Sequence, residues 1–489
     1  MKKELIRMEH IVCVDNEIPV LNYFSMQIFE GEIYGILCLD TLGITKMIEL
    51  ICWNQPIQYG QVFFEEKLVN SIEKSDHSRN HATIIGNQSC LIDNLSLADN
   101  LFVIRPNFHK QIVPEKTIRI QTMQLLNELQ INISPSVLAE DLTTYERLVA
   151  ELLRAMIVGD PLIILWQISD LLSSEELPRF HELIQRSVKK GYTFLYIYNH
   201  HEVLKTVCNR ISIFENGHIK KVFFESNEIE KKIISVFARH SYAKLLQLKL
   251  DSQKDFSNLP PVLEFKHICT ENIKDLNILI KPGENVLLLD KSNTILYELF
   301  TLFSGGNQNY TGTIEPLDMI GRNANKVAII PHNPISNFLF PDLSFLDNLC
   351  FPLAKKVPHF WRKSAFRKSI VKEARAELGD LLDTPQLYDL HSKDLYTLIY
   401  YRYLIAKPKL IVCMQPLSGV SMNMRTYILE MITKLCNKGI AVLTLNTELY
   451  DTLSAADRVI QVENGHIIGE YLRSEFEMLR NTNKNIYPD

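Results

Sequence analysis

At 489 residues the chain is too long for one ordinary core and requires at least two domains. Its 46% hydrophobic and 22% charged residues exclude the disordered and fibrous classes, and a net charge of -5 argues against a chain built mainly to grip nucleic acid. The N-terminal MKKELIRMEHIV returns to charge before a signal-peptide core can form, and no run of about 18 apolar residues follows, so an intracellular protein without a membrane span is expected.

Nine cysteines lack CxxC pairs and Cys/His ligand spacing, which indicates neither a disulfide framework nor a zinc site; they read as reduced, mostly buried thiols. Glycine is scarce. The chain has 18, where average usage gives about 34.

In chain order, Ile33 to Leu39 reads as a buried strand introduced by the turn Gly31-Glu32. Asn94-Leu-Ser-Leu-Ala-Asp-Asn-Leu101 follows, then Pro161 to Leu165, a central strand behind a proline, which lacks an amide donor and suits a strand's start. Phe194 to Tyr198 is another strand, and Glu215-Asn-Gly-His-Ile219 is a hairpin turn built on Asn-Gly. The polar stretch Asp251 to Pro261, closed by Leu259-Pro-Pro261, reads as a linker.

The same order then returns. Val286 to Leu289 is a strand behind Gly283-Glu284, and Asp342-Leu-Ser-Phe-Leu-Asp-Asn-Leu349 repeats the first LSxxDNL segment at an offset of 248 (94 to 342). Leu410 to Cys413 and Ile440 to Leu445 are strands, and Glu463-Asn-Gly-His-Ile467 repeats the hairpin at the same offset (215 to 463). Asn209-Arg210 before the first hairpin corresponds to Asp457-Arg458 before the second. Two similar α/β domains are expected, residues 1–250 and 262–489, joined by 251–261, each a mostly parallel sheet covered by helices.

This order of landmarks resembles the ABC transporter ATPases, specifically the fused double-cassette proteins of ribose-, xylose- and galactoside-type importers, over roughly residues 5–240 and 262–475. The resemblance implies tandem P-loop-type ABC nucleotide-binding domains, each a mixed sheet with helices and a helical subdomain. It also implies ATP with magnesium as cofactor, a membrane permease as partner, and a place at the inner face of the cell membrane.

The family's phosphate loop needs glycines for an amide cradle, a lysine for the phosphates and a hydroxyl for magnesium. In the first repeat Leu39-Asp-Thr-Leu-Gly-Ile-Thr-Lys-Met47 offers Gly43, Thr45 and Lys46 as remnants. With Lys46 as the phosphate lysine, Met47 replaces the hydroxyl; moved back by two, Gly43 and Thr45 fit but Ile44 stands for the lysine. In the second repeat Lys291-Ser292 follows the strand directly, which leaves no room for a cradle.

The magnesium aspartate and the glutamate that polarises water are Trp166-Gln167 and Met414-Gln415 here, and the signature loops are Leu142-Thr-Thr-Tyr145 and Leu390-His-Ser-Lys393. The switch histidine falls near Asn199-His200-His201 and Asn446-Thr447; His200 is the candidate, and without its site it reads as a surface histidine. Gln88 stands near the permease-facing loop, and the adenine-stacking aromatic is missing around Val14-Asp15.

His359-Phe-Trp-Arg-Lys363 with Arg367 and Lys368 reads as an amphipathic helix, and Tyr396 to Tyr403 as a core helix. The expected function is a catalytically lapsed cassette subunit, structural or regulatory, at a permease. Its rivals are an active divergent ATPase energising sugar uptake and a soluble ribosome- or nucleic-acid-associated tandem cassette. The last usually carries a long charged linker and a basic balance, which this chain lacks.

Overall fold

A computed structural model describes residues 3–15, 18–39, 42–75, 77–86, 89–103, 115–173, 175–224, 256–306, 309–316, 326–351, 365–388, 390–447, 449 and 451–479. The chain divides into two compact units, residues 1–237 with 420–422 and residues 238–419 with 423–489. Of the expected linker, 251–255 lie outside the described residues.

The first unit contains β1 (Glu4–Asp15), β2 (Ile18–Phe29), β3 (Ile33–Cys38), α1 (Ile44–Cys52), β4 (Tyr59–Phe64), β5 (Lys67–Ser71), β6 (Ala82–Ile85), α2 (Leu97–Phe102), α3 (Glu115–Glu128), α4 (Thr144–Val158), β7 (Leu162–Trp166), α5 (Glu176–Lys189), β8 (Thr193–Tyr198), α6 (His201–Val207), β9 (Arg210–Glu215) and β10 (His218–Phe223). An antiparallel sheet of order β2-β1-β4-β5 lies beside a six-stranded sheet of order β10-β9-β3-β8-β7-β6. All six residues of β3 and of β8 are buried, as continuous apolar runs require in strands covered on both faces. Between β6 and β7, α2 packs on α3 and α4 as a helical insertion.

The second unit repeats the plan with β11 (Leu263–Cys269), β12 (Leu276–Ile280), β13 (Asn285–Asp290), α7 (Leu296–Ser304), β14 (Thr311–Glu315), β15 (Val327–Ile330), α8 (Pro334–Phe338), α9 (Phe345–Cys350), α10 (Ala365–Leu378), α11 (Ser392–Ala406), β16 (Leu410–Met414), α12 (Met422–Asn437), β17 (Ala441–Asn446), β18 (Arg458–Glu463) and β19 (His466–Leu472). Its sheets run β12-β11-β14 and β15-β16-β17-β13-β18-β19, the same neighbours read from the opposite edge. Tandem cassettes with mixed sheets and a helical insertion in each are therefore the fold. Tyr396, Tyr400, Tyr401 and Tyr403 of α11 are buried, while residues 352–364, with the His359–Lys363 cluster, lie outside the described residues. All nine cysteines are free; five are buried and Cys90 is exposed.

The repeated landmarks are framework. Ser96 caps α2 by accepting the Asp99 amide at 3.1 Å, and Ser344 caps α9 by accepting that of Asp347 at 3.1 Å. Asn100 accepts from Ile92 N at 2.7 Å and donates to the Ile92 carbonyl at 3.0 Å; buried Asn348 does the same with Phe340, at 3.0 and 2.9 Å. Each asparagine thus satisfies a loop that would otherwise leave its polar backbone unpaired. Asn209 accepts from Ile33 N at 2.8 Å and Asp457 from Asn285 N at 2.9 Å, which fixes the start of β3 and of β13. In both hairpins the Asn-Gly pair has positive φ (50° and 75°, then 49° and 84°), as a two-residue hairpin turn of this kind demands.

Candidate functional site

In the first cassette the loop between β3 and α1 ends at Gly43, with Asp40 and Thr41 outside the described residues. Gly43 has φ 82°, and a Cβ there would stand 2.0 Å from the Val20 carbonyl oxygen, so β2 occupies the space beside the one retained glycine. α1 opens at Ile44, directly after that glycine, the position at which a phosphate loop carries its lysine. Ile44 is buried in the core. Lys46 lies two residues further on, and its ammonium donates to Gln55 Oε1, beyond the C-terminus of α1, at 2.5 Å and pairs with Glu49 of the same helix at 3.3 Å. Thr45 is exposed beside it.

The second loop has the same length: six residue steps separate Cys38 from Ile44 and Asp290 from Leu296. Lys291-Ser292 does follow the strand directly, as expected, but the loop beyond it is not shortened. Strand β13 runs on to Asp290, and the space is filled from within. The buried Asp290 carboxylate accepts from Ser292 N at 3.2 Å, Ser292 Oγ at 3.1 Å and Ile295 N at 2.7 Å. Lys291 N donates to the Val462 carbonyl at 3.1 Å, and Ser292 Oγ accepts from Asn464 N at 2.8 Å. Leu296 takes the lysine position and is fully buried.

Trp166 and Met414 end β7 and β16, equivalent strands, each half-buried against its own core. Gln167 and Gln415 follow with φ 57° and 42°, their amides bound to the carbonyls of Ile197 at 3.2 Å and Leu445 at 2.8 Å. Indole and thioether offer magnesium no oxygen, and a carboxamide cannot take a proton from water. Gln415 Nε2 lies 3.5 Å from Thr447 Oγ1, so the strand end and the switch position do adjoin in this cassette. His200, expected at the surface, is instead buried: it lies two residues past the end of the buried β8, and its ring lies 5.6 Å from that of Tyr198.

At the first signature loop Thr143 caps α4 by accepting Glu146 N at 3.2 Å, and Glu146 Oε2 accepts Thr143 N at 2.9 Å. That capping box places a carboxylate where the family presents bare amides. In the second, His391 precedes α11 without a side-chain cap. Val14 is exposed at the end of β1, and Gln88 lies outside the described residues.

A buried polar chain was not foreseen. His181 of α5 lies 3.2 Å from both Tyr196 Oη and Thr206 Oγ1, and Tyr196 Oη is 2.5 Å from Ser169 Oγ. Burial pushes the imidazole pKa down to about 4. Asp290 carried a readable signal, an acidic residue closing a strand before Lys-Ser-Asn-Thr, the pattern of a carboxylate that binds the amides after it. Nothing in the sequence marked His181.

No protein-family profile matches the chain. It is 20% identical over 491 residues to the ribose import ATP-binding protein RbsA of Caldanaerobacter subterraneus subsp. tengcongensis, spanning 96% of this chain and 97% of that one. The xylose import ATP-binding protein XylG of Moorella thermoacetica is 20% identical, with 97% of each chain spanned. The chain is thus similar over nearly its whole length to the double-cassette sugar-import ATP-binding proteins. Among solved structures, the ADP form of an ATP-binding cassette of an ABC transporter is similar at TM-score 0.42 and 18% identity, covering 48% of this chain and 96% of that cassette. Among the described residues no helix is long and apolar enough to cross a membrane, and no cluster of three or more His, Cys, Asp or Glu could hold a metal.

Proposed function

We propose that this chain is a catalytically silent tandem cassette subunit of a carbohydrate-import system, structural or regulatory in role, acting at a membrane permease on the cytoplasmic side. The observation that carries the reading is the pair of phosphate loops: both open their helix on a buried aliphatic residue, Ile44 and Leu296, where the lysine belongs. The residues present do not fit Mg-ATP. No carboxylate stands at either strand end, the first signature loop is self-capped, and Lys46 is committed to Glu49 and Gln55. Gly43, Thr45 and Lys46 are the remnants through which the first cassette would hold nucleotide if it held any. The domain division at 251–261 is part of the same reading.

The permease-facing segments proposed are 88–102 and 331–351. Each carries exposed apolar side chains at equivalent places beside its short helix, Ile92 next to α2 and Phe340 and Leu343 next to α9, with Val103 and Phe351 just past those helices. Phe340 and Phe351 pair at 5.0 Å. Such patches suit a docking face. The tagged chain, purified from solubilised membranes, is expected to bring a multi-span membrane protein with it and to release no phosphate from ATP above background. Recovery with ribosomes alone, or turnover of about 1 per second lost in Lys46→Ala, contradicts the proposal.

A further inference from the structure

The second cassette differs from the first in what holds its nucleotide-facing rim together. Asp290 takes the position of Cys38, and its carboxylate receives three donors of the loop that follows. A second carboxylate lies on the helix that this loop feeds. Glu298 of α7, at the position of Lys46, is largely buried and accepts from Thr270 Oγ1, from Asn272 N at 3.3 Å and from Asn272 Nδ2 at 2.7 Å. Those residues form the tip between β11 and β12, the counterpart of Val14-Asp15 at the end of β1 where the family stacks adenine. Asn272 is in turn wedged against the hairpin: a Cβ on Gly465 would stand 1.9 Å from its carbonyl oxygen, and Lys274 N donates to the Gly465 carbonyl at 2.9 Å. Phosphate loop, helix, hairpin and base-side tip are thus laced to one another by internal acceptors.

We infer that the second cassette is latched by its own carboxylates: Asp290 fills the anion position of the phosphate loop, Glu298 pins the base-side tip to α7, and the site holds one closed state independent of nucleotide. The inference rests on the reading of residues 290–296 as a former phosphate loop. Amides that a phosphate would need at Ser292 and Ile295 already have an anionic acceptor, and two buried negative groups repel a third. A phosphate would have to displace Asp290 from bonds that exist without any ligand. The first cassette has no such groups at the equivalent places, Cys38 and Lys46, so any nucleotide response of the chain belongs to that cassette.

The test is chemical rescue in the full chain. Asp290→Ala is expected to lower the melting transition by several degrees. Sodium formate, compared with sodium chloride at equal ionic strength, is expected to return much of that loss while leaving the parent chain unmoved. Formate acting no better than chloride, or a variant as stable as the parent, overturns the inference. If the variant does not fold, hydrogen exchange of the parent decides. Slow exchange at Ser292 and Ile295, altered less than about twofold by Mg-ATP, supports the latch, and fast exchange or strong added protection overturns it. Failure of the silent-subunit reading is seen separately, as ATP turnover by the parent chain, and leaves the rescue result standing.

Discussion

Replacing Glu284 by alanine is expected to lower the stability of the second cassette by about 3–5 kcal/mol, the usual cost of removing one partner of a buried ion pair. Glu284 is buried beside the turn that starts β13. One carboxylate oxygen accepts Arg458 Nε at 2.8 Å and the other accepts Lys281 N at 2.9 Å. Deleting it leaves a mostly buried guanidinium with only Glu470 and the Leu279 carbonyl, and leaves a turn amide unpaired. The first cassette repeats the arrangement: Glu32 accepts Arg210 Nη2 at 2.7 Å and Phe29 N at 2.8 Å, so Glu32→Ala should cost that cassette a comparable amount. Urea unfolding of the full chain, followed by a probe in each cassette, measures both. Losses below about 1 kcal/mol would show that these pairs are not the anchors described.

Acidification from pH 6.5 to 4 is expected to remove about 3 kcal/mol of stability from the first cassette through His181 alone. The folded state keeps this imidazole neutral by burying it, with its pKa down at about 4, while the unfolded chain takes up a proton near 6.5. Between those values the unfolded state binds more protons. Stability is therefore fully present above 6.5, falls as the pH drops through the window, and stops changing from this cause below 4. The groups facing the ring are the hydroxyls of Tyr196 and Thr206, so no carboxylate offsets the charge. Carboxylates elsewhere titrate in the same range, and His181→Leu is the control that isolates the histidine. Leucine is the residue the second cassette has at this place, Leu429 on α12. A variant that keeps the full acid slope would contradict the assignment.

The fold was legible because the residues that preserve the repeat are those whose side chains satisfy backbone. Asn100 and Asn348, Ser96 and Ser344, Asn209 and Asp457 each bond main-chain groups within their own cassette, so substitution there would leave buried polar atoms unpaired. The equivalence of two strand ends was legible too, since Trp166 and Met414 do close corresponding strands, each followed by a glutamine. What fills the second loop was missed although its residues carried a signal. An apolar run does not say at which residue a strand stops, and with β13 cut short at Leu289 the Asp290 side chain counts as loop instead of as its acceptor. His200 misled for a similar reason: a polar residue after a strand reads as exposed, whereas this one is buried with its ring beside that of Tyr198.

The central claim is that the cassette framework has outlived its nucleotide sites, and its most direct test is the melting of the purified full chain with and without millimolar Mg-ATP. A ligand at 100 times its dissociation constant stabilises the native state by about 2.7 kcal/mol, a shift of roughly 5 to 11 °C for a domain of this size. The account predicts a shift of less than about 2 °C. A shift above about 5 °C, abolished by Lys46→Ala, would contradict it and show a first cassette that still holds nucleotide.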